Sequence, residues 1–300
     1  MQPARRSRKR GWSLDRITLI LFVAVPLFFY MIWVWGPTAA TIALSFTHFD
    51  GITSPTFNGL TNYVRLAQDP QFHQALFNNL IWLFAFLTLP LAGGLALAVA
   101  LDRKIRFSRF YQSAIYLPMV LALPVIALMF QWFFLPSDGL VNTILHALSN
   151  NRLSPGWLAD PHLALSTILI AAIWRQVGYV MILYLAGLKG IDPAMREAAY
   201  IDGAGEWKLF RNVTFPLLRP VTIIVLVISV IEALRAFDLV WVMTGQEPGY
   251  AEVLATLMYR EAIHNYEAGY GSAVAVALFL ISLGFIITYL IRQLRTEEEL

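Results

Sequence analysis

The sequence predicts an all-α protein that crosses a membrane six times, and three observations carry that reading. Hydrophobic residues make up 58% of the 300 and charged residues only 14%, far from the composition of a soluble globular chain. Six apolar runs are each long enough to cross a hydrocarbon core of about 30 Å as a helix rising about 1.5 Å per residue. Basic residues collect in alternate connections, as the positive-inside rule requires of one membrane face.

The elements follow in order. Residues 1–16, MQPARRSRKRGWSLDR, form a basic tail. A secretory signal begins the same way, but its apolar core is only about 7 to 15 residues long, and here the uncharged stretch runs from Ile17 to Phe49. The tail is therefore expected to lead into an uncleaved first span, Ile17 to Thr38, followed by Asn79 to Leu101, Phe110 to Phe134, Leu163 to Leu188, Val221 to Met243 and Gly271 to Ile291. In lipid every backbone amide needs a partner within its own segment, so runs of this length are expected to be helices. Gly93 and Gly94 in the second run, and Pro118 and Pro124 in the third, are expected packing and kink positions. No heptad, solenoid period, broken span or inverted repeat is read in the chain.

Seventeen of the 22 Lys and Arg lie in the N-terminal tail, the second and fourth connections and the C-terminal end. Only Arg65, Arg152 and Arg260 lie in the opposite loops, while Arg175 and Arg235 fall inside spans. Both termini are thus expected in the cytoplasm, with residues 17–300 forming a single transmembrane domain. The outer connections, such as FDGITSPTFNGLTNYVRLAQDPQF, carry the Pro, Asn and Gly of compact surface structure. With no cysteine, disulfides and thiolate chemistry are excluded.

A long polar stretch interrupts the apolar pattern at the fourth connection, residues 189–220: EAAYIDGAGEWKLFRNVTFPLLRP, Glu197 to Pro220. Asp192 is placed to cap a helix that Pro193 opens, and Ala194, Ala198 and Ala199 favour its continuation. Asp202 to Gly205, DGAG, should turn the chain before a second short helix from Glu206. This stretch resembles the EAA motif of permease subunits of binding-protein-dependent ABC importers. The segments LSFTHFDG, FNGLTNYVRLAQDPQFHQALFNN, WRQVGYVMILYLAGLKGI, FDLVWVMTG and YGSAVAVALFL are similar to the sugar-importing branch, and the early ones look most like the first of its two permeases, of maltose, glycerol-phosphate or trehalose type. TGQEP, Thr244 to Pro248, departs from a glycine-richer turn in that family.

The resemblance implies the type I importer permease fold in a bacterial inner membrane. It also implies a second homologous permease, two ATPase subunits and an extracytoplasmic solute-binding protein as partners. ATP and Mg would belong to the ATPase, with no cofactor held by this chain. Glu197, Ala198, Ala199, Asp202, Gly203 and Gly205 would form a coupling element docked in an ATPase cleft, with Glu197 facing polar groups, the alanines allowing close approach and Gly203 permitting the bend.

The residues themselves agree on the division of labour. No GxxxxGK[ST] cradle for a nucleotide phosphate occurs, and neither HExxH nor GxSxG is present. His48, His73, His146, His162 and His264 show no metal-ligand spacing, and nothing points to nucleic acid. An ionisable group inside a span costs several kcal/mol unless it is paired or wetted, so Arg175, Glu232, Arg235 and Asp238 mark either a charge network or the border of a translocation path. Residues 232, 235 and 238 are spaced to share one helical face, and Arg175 can pair with Glu232. Trp174, Arg175, Gln176 and Tyr179 combine an aromatic face with planar polar groups, as sugar binding requires; packing is the alternative. The rival function is an ion-coupled secondary carrier using the midplane charges, which broken helices and repeated halves would favour.

Overall fold

The computed structural model describes residues 14–103, 105–149, 153–247 and 249–297, so most of the basic tail at 1–16 lies outside the described residues. The first helix, α1 (Thr18–Leu44), extends past the expected Thr38. Its Met31–Trp35 segment is π-helical, with the Gly36 amide donating to the Met31 carbonyl. Pro37 has no N–H to offer the preceding turn, which accounts for the local widening. A short antiparallel pair, β1 (Thr47–His48) and β2 (Thr56–Phe57), and α2 (Thr61–Gln68) then make the compact outer connection.

The helix α3 (Pro70–Asp102) is 33 residues long and begins well before the expected Asn79. Asp69 explains the early start: its carboxylate accepts from the Gln71 amide at 2.8 Å, and Pro70 occupies the first turn, where its missing N–H costs nothing.

Two expected spans are broken, which corrects the reading of continuous helices. The run Phe110 to Phe134 is an elbow: α4 (Ser108–Val120) and α5 (Leu123–Phe133) meet at 98°. Leu121 and Ala122 between them are extended, with ψ 142° and 138°, and Pro124 sits in the first turn of α5. Beyond α6 (Leu140–Ser149) the helix α7 (Ala164–Lys189) crosses unbroken. The polar connection holds α8 (Pro193–Ile201) and α9 (Glu206–Leu217), which bends by 67° into α10 (Arg219–Leu234). The expected run Val221 to Met243 stops at Leu234: Arg235 (φ −91°, ψ 9°) and Phe237 (φ −139°, ψ −64°) leave helical geometry, and a separate α11 (Asp238–Met243) follows. Asp238 in the first turn of α11 favours a new helix start by facing its positive end. The chain closes with α12 (Leu254–Tyr259) and α13 (Ala268–Glu297). Four helices are individually long and apolar enough to cross, and counting each bent pair as one span gives six.

Packing centres on α3 and α7, which run together along much of their length. Trp82, Phe86, Ile126, Phe130, Ile168 and Met243 form one buried cluster, and Ala98, Val180, Tyr184, Leu218 and Val225 form a second nearer the polar connection. The core of α1, by contrast, buries nothing within the chain, and only its last part meets α13.

Of the paired glycines in α3, Gly94 makes the close approach. A Cβ there would lie 2.9 Å from the Met181 amide nitrogen and 2.5 Å from Val180 Cγ1, whereas one on Gly93 would meet Val177 at an ordinary 3.5 Å. Gly94→Ala should therefore destabilise the fold by about 1–3 kcal/mol through overpacking, while Gly93→Ala should be neutral or stabilising by up to about 1 kcal/mol. Thermal unfolding of the two detergent-solubilised variants separates these outcomes, and equal melting temperatures would disprove the assignment.

Candidate functional site

The polar connection forms as its sequence requires. The Asp192 carboxylate accepts from the Ala194 amide at 2.9 Å, which caps α8. Gly203 adopts φ +75°, a left-handed geometry that a Cβ disfavours, and the turn closes with the Ala204 amide donating to the Ala199 carbonyl at 3.0 Å. Gly205 is extended and precedes the first turn of α9. The result is an exposed helix: Glu197, Ala198 and Asp202 face outward, Ala199 is half-buried, and Ile201 is 86% exposed. Glu197 makes no hydrogen bond or ion pair among the described residues.

What anchors this helix was not singled out in the sequence. Arg196 donates through Nη1 to Asp102 Oδ2 at 2.7 Å and through Nη2 to the Leu188 carbonyl at 3.0 Å. One side chain thereby ties α8 to the cytoplasmic ends of both α3 and α7. A second tie joins the two arms of the loop: Glu206 accepts from the Tyr200 hydroxyl at 2.7 Å and pairs with Arg103 at 3.3 Å. The Tyr200 phenol is held above its ordinary pKa chiefly by that bond to Glu206. Asp102 and Arg196 lie 94 residues apart, so only their positions at the ends of apolar runs hinted at a pair.

At the midplane the structure gathers the four expected charges. Arg175 on α7 pairs with Glu232 on α10 at 3.6 Å, and both line a cavity of about 40 Å3 with Arg235, Asp238, Trp82 and Phe86. The arrangement is not one helical face, which corrects the spacing argument: the break at 235–237 turns Asp238 onto α11, and Glu232 finds its partner on another helix. Neither Arg235 nor Asp238 forms an ion pair among the described residues. Trp82, unremarked in the sequence, is 2% exposed, and its indole N–H has no hydrogen-bond partner among the described residues.

The aromatic and amide set on α7 is divided. Successive helical residues point about 100° apart. Trp174 packs on Phe130 with ring centroids 5.4 Å apart and borders a separate apolar cleft of about 370 Å3 with Leu97, Pro118 and Val177. Gln176 is 1% exposed, and both its amide atoms lack hydrogen-bond partners among the described residues. Tyr179 is half-buried and lies four residues on from Arg175, on the same side of the helix.

A third charged cluster, not anticipated, lies at the outer end of α3. Arg260 clasps the buried Glu252 with Nε and Nη2, each at 3.0 Å, and pairs with Glu261 at 3.3 Å. Burial pushes the Glu252 carboxyl up to about 7 against the pull of Arg260, with the like charges of Glu261 and Asp69 adding to the rise.

Residues 91–296 match the family described as the inner membrane component of binding-protein-dependent transport systems. The chain belongs to that family. This permease is similar to a probable ABC transporter permease of Pyrococcus horikoshii, 37% identical over 288 residues that cover 95% of this chain and 99% of the relative. It is also similar to the xylose/arabinose import permease of Haloferax volcanii, 35% identical with 90% and 86% covered. Its fold superposes on that of a bacterial alginate ABC transporter in complex with alginate pentasaccharide-bound periplasmic protein, with a TM-score of 0.79, 23% identity and 92% and 93% covered. The permease is thus a membrane transport subunit of the ABC importer class rather than an enzyme.

Arg196→Ala should leave the six-span fold intact but loosen α8, raising amide hydrogen exchange across 193–201 by about tenfold for each 1.4 kcal/mol of local stability lost; unchanged exchange would remove Arg196 as the anchor. Because the folded state holds the Glu252 proton from the ordinary 4.5 up to about 7, the associated stability is complete below about pH 4.5 and is lost as pH rises through 7. Glu252→Gln should flatten that part of the melting-temperature profile, and an unchanged slope would assign the dependence to other groups.

Proposed function

We propose that this permease is one of two transmembrane subunits of an ATP-driven importer of a sugar or sugar-like polyol, working with a second permease, two ATPase subunits and an extracytoplasmic solute-binding protein in the cell membrane. The observation that carries this reading is the exposed helix Pro193–Ile201, which presents an unpaired Glu197 and a bare Ile201 outward while Arg196 fixes its other side to α3 and α7. Such a helix is built to be gripped by a partner and to pass movement to the spans behind it.

ATP and Mg belong to the partner ATPase in this scheme, since the chain has no phosphate-binding loop. Closure of that partner around ATP favours one arrangement of the spans over the other only if ATP binds the two states unequally. Glu197, with Ala198, Ala199, Asp202, Gly203 and Gly205, is the docking surface. Arg175, Glu232, Arg235 and Asp238 border the path, with Trp174, Gln176 and Tyr179 as further candidates. A sugar substrate is supported by the likeness to the xylose/arabinose permease and to the sugar-importing branch. The broken helices beside the midplane charges suit an ion-coupled carrier equally well, but such a carrier has no use for a docking helix.

The deciding experiment is reconstitution of the chain with its genomic neighbours in proteoliposomes, assayed with labelled maltose, trehalose, lactose, xylose, arabinose and glycerol phosphate. Uptake should require ATP and the binding protein. Glu197→Ala should cut uptake at least tenfold, about 1.4 kcal/mol or more of coupling, while the subunits remain assembled. Uptake driven by an ion gradient without ATP would overturn the reading in favour of the secondary carrier.

A further inference from the structure

The outer end of α3 borders an open cleft of about 670 Å3, within the range of about 300–1,000 Å3 usual for small-molecule sites. Its lining includes four carboxamides, Gln71, Gln74, Gln246 and Asn265, together with Glu247 and Tyr250. A carboxamide sets a donor beside an acceptor, which matches a pair of neighbouring sugar hydroxyls. A tyrosine ring offers the flat apolar face on which the C–H side of a pyranose rests.

The cleft has a firm floor. Arg260, held between Glu252 and Glu261, also donates to Gln71 Oε1 at 2.9 Å, which fixes that amide and turns its NH2 toward other acceptors. Asn78 donates to the carbonyls of Tyr250 and Glu252 at 2.8 and 2.7 Å and so ties the rim to α3. Gln246 stands at φ +73°, a geometry that residues other than glycine rarely adopt and that persists only where the surroundings impose it.

The cleft shares a helix face with the midplane cavity. Gln71, Gln74, Asn78, Trp82 and Phe86 recur at helical spacing along one side of α3: the two glutamines stand exposed in the cleft, while Asn78, Trp82 and Phe86 are buried, and Trp82 and Phe86 line the charged cavity. From Gln74 to Trp82 the distance along the axis is about 12 Å at about 1.5 Å per residue. The charge balance selects among saccharides. Even where Glu252 keeps its proton, Glu247 and Glu261 outnumber Arg260 around the cleft, so an acidic or phosphorylated sugar is repelled and a neutral one is not.

We propose that this cleft is an outer subsite for a neutral saccharide, in which the sugar rests after release from the binding protein and before it enters the midplane cavity. The assignment rests on the sugar-import reading above.

The chain contains no cysteine, so single replacements report on the cleft directly. Gln74→Cys and Asn265→Cys are introduced separately into the assembled importer in nanodiscs, with cysteines of the partner subunits removed and the binding protein omitted. Ile52→Cys on an exposed outer turn serves as the control. The rate of modification by a membrane-impermeant methanethiosulfonate is measured with and without whichever of maltose, trehalose, lactose, xylose or arabinose the wild type imports. The expected result is modification of both cleft positions about fivefold slower once the sugar is well above its dissociation constant, no change at Ile52→Cys, and no protection by glucose 6-phosphate. An unchanged rate with a sugar that is imported overturns the subsite and leaves the import reading standing. In a parallel arm with the binding protein added back, protection whether or not it carries sugar assigns the cleft to protein docking instead, and cysteines inert in the assembled complex mean that a neighbouring subunit covers it; both overturn the proposal. If no sugar is imported, both readings fall together.

Discussion

A peptide group facing hydrocarbon without an internal partner costs several kcal/mol, and that penalty decides where this chain can bend. Its breaks each have protein packed on one side of the backbone. The elbow at Leu121 and Ala122 abuts the cluster that holds Ile126 and Phe130. The second break runs through Ala236, which is 9% exposed and lines the cavity of charged residues. The bend between α9 and α10 passes through Leu218, which is fully buried in the other cluster. Each break thus leans on the bundle interior through one or two residues while its neighbours Ala122, Leu217, Arg219 and Arg235 stay exposed.

From that constraint a mechanical layout follows. α3 and α7 cross the bundle without interruption and pack closely, with Gly94 allowing α3 to lie against the Val180 and Met181 turn. At their cytoplasmic ends Arg196 joins both to α8; further along, α7 carries Arg175 and α3 carries Trp82, both on the midplane cavity. A displacement of α8 therefore has two stiff helices to push against and an ion pair to disturb. The bent pairs, α4 with α5 and α9 with α10, set α4 against α7 and α10 against α3 in that pair of struts.

The distribution of charge agrees with this division. The ion pair that anchors α8 is partly buried and well formed at 2.7 Å, so loss of either partner strands a charge. The midplane pair is longer at 3.6 Å and leaves Arg235 and Asp238 without ion-pair partners among the described residues, an arrangement open to exchange. At the outer end, two carboxylates share one guanidinium at the floor of a carboxamide-lined cleft. The three charged clusters are thus separate and strung along α3.

Much of this was legible in the chain itself. Apolar run length determined the number of spans, the alternation of Lys and Arg their direction, and Asp192, Pro193 and Gly203 the start of α8 and the turn after it, because each of these depends on the membrane or on neighbours a few residues away. Pro124 announced an elbow without giving its 98°, since a proline removes one hydrogen bond while packing sets the angle. Val221 to Met243 contains neither glycine nor proline, so nothing local foretold the break at 235–237. Only the tertiary structure decided that Glu232 pairs with Arg175 rather than with its own neighbours, that Arg196 reaches Asp102 from 94 residues away, that Trp174 and Arg175 look into different spaces, and that glutamines from α3 meet the loop after α11 around one cleft. Those outcomes depend on which helix faces meet, and a bilayer fixes the depth of a residue without fixing the direction in which it looks.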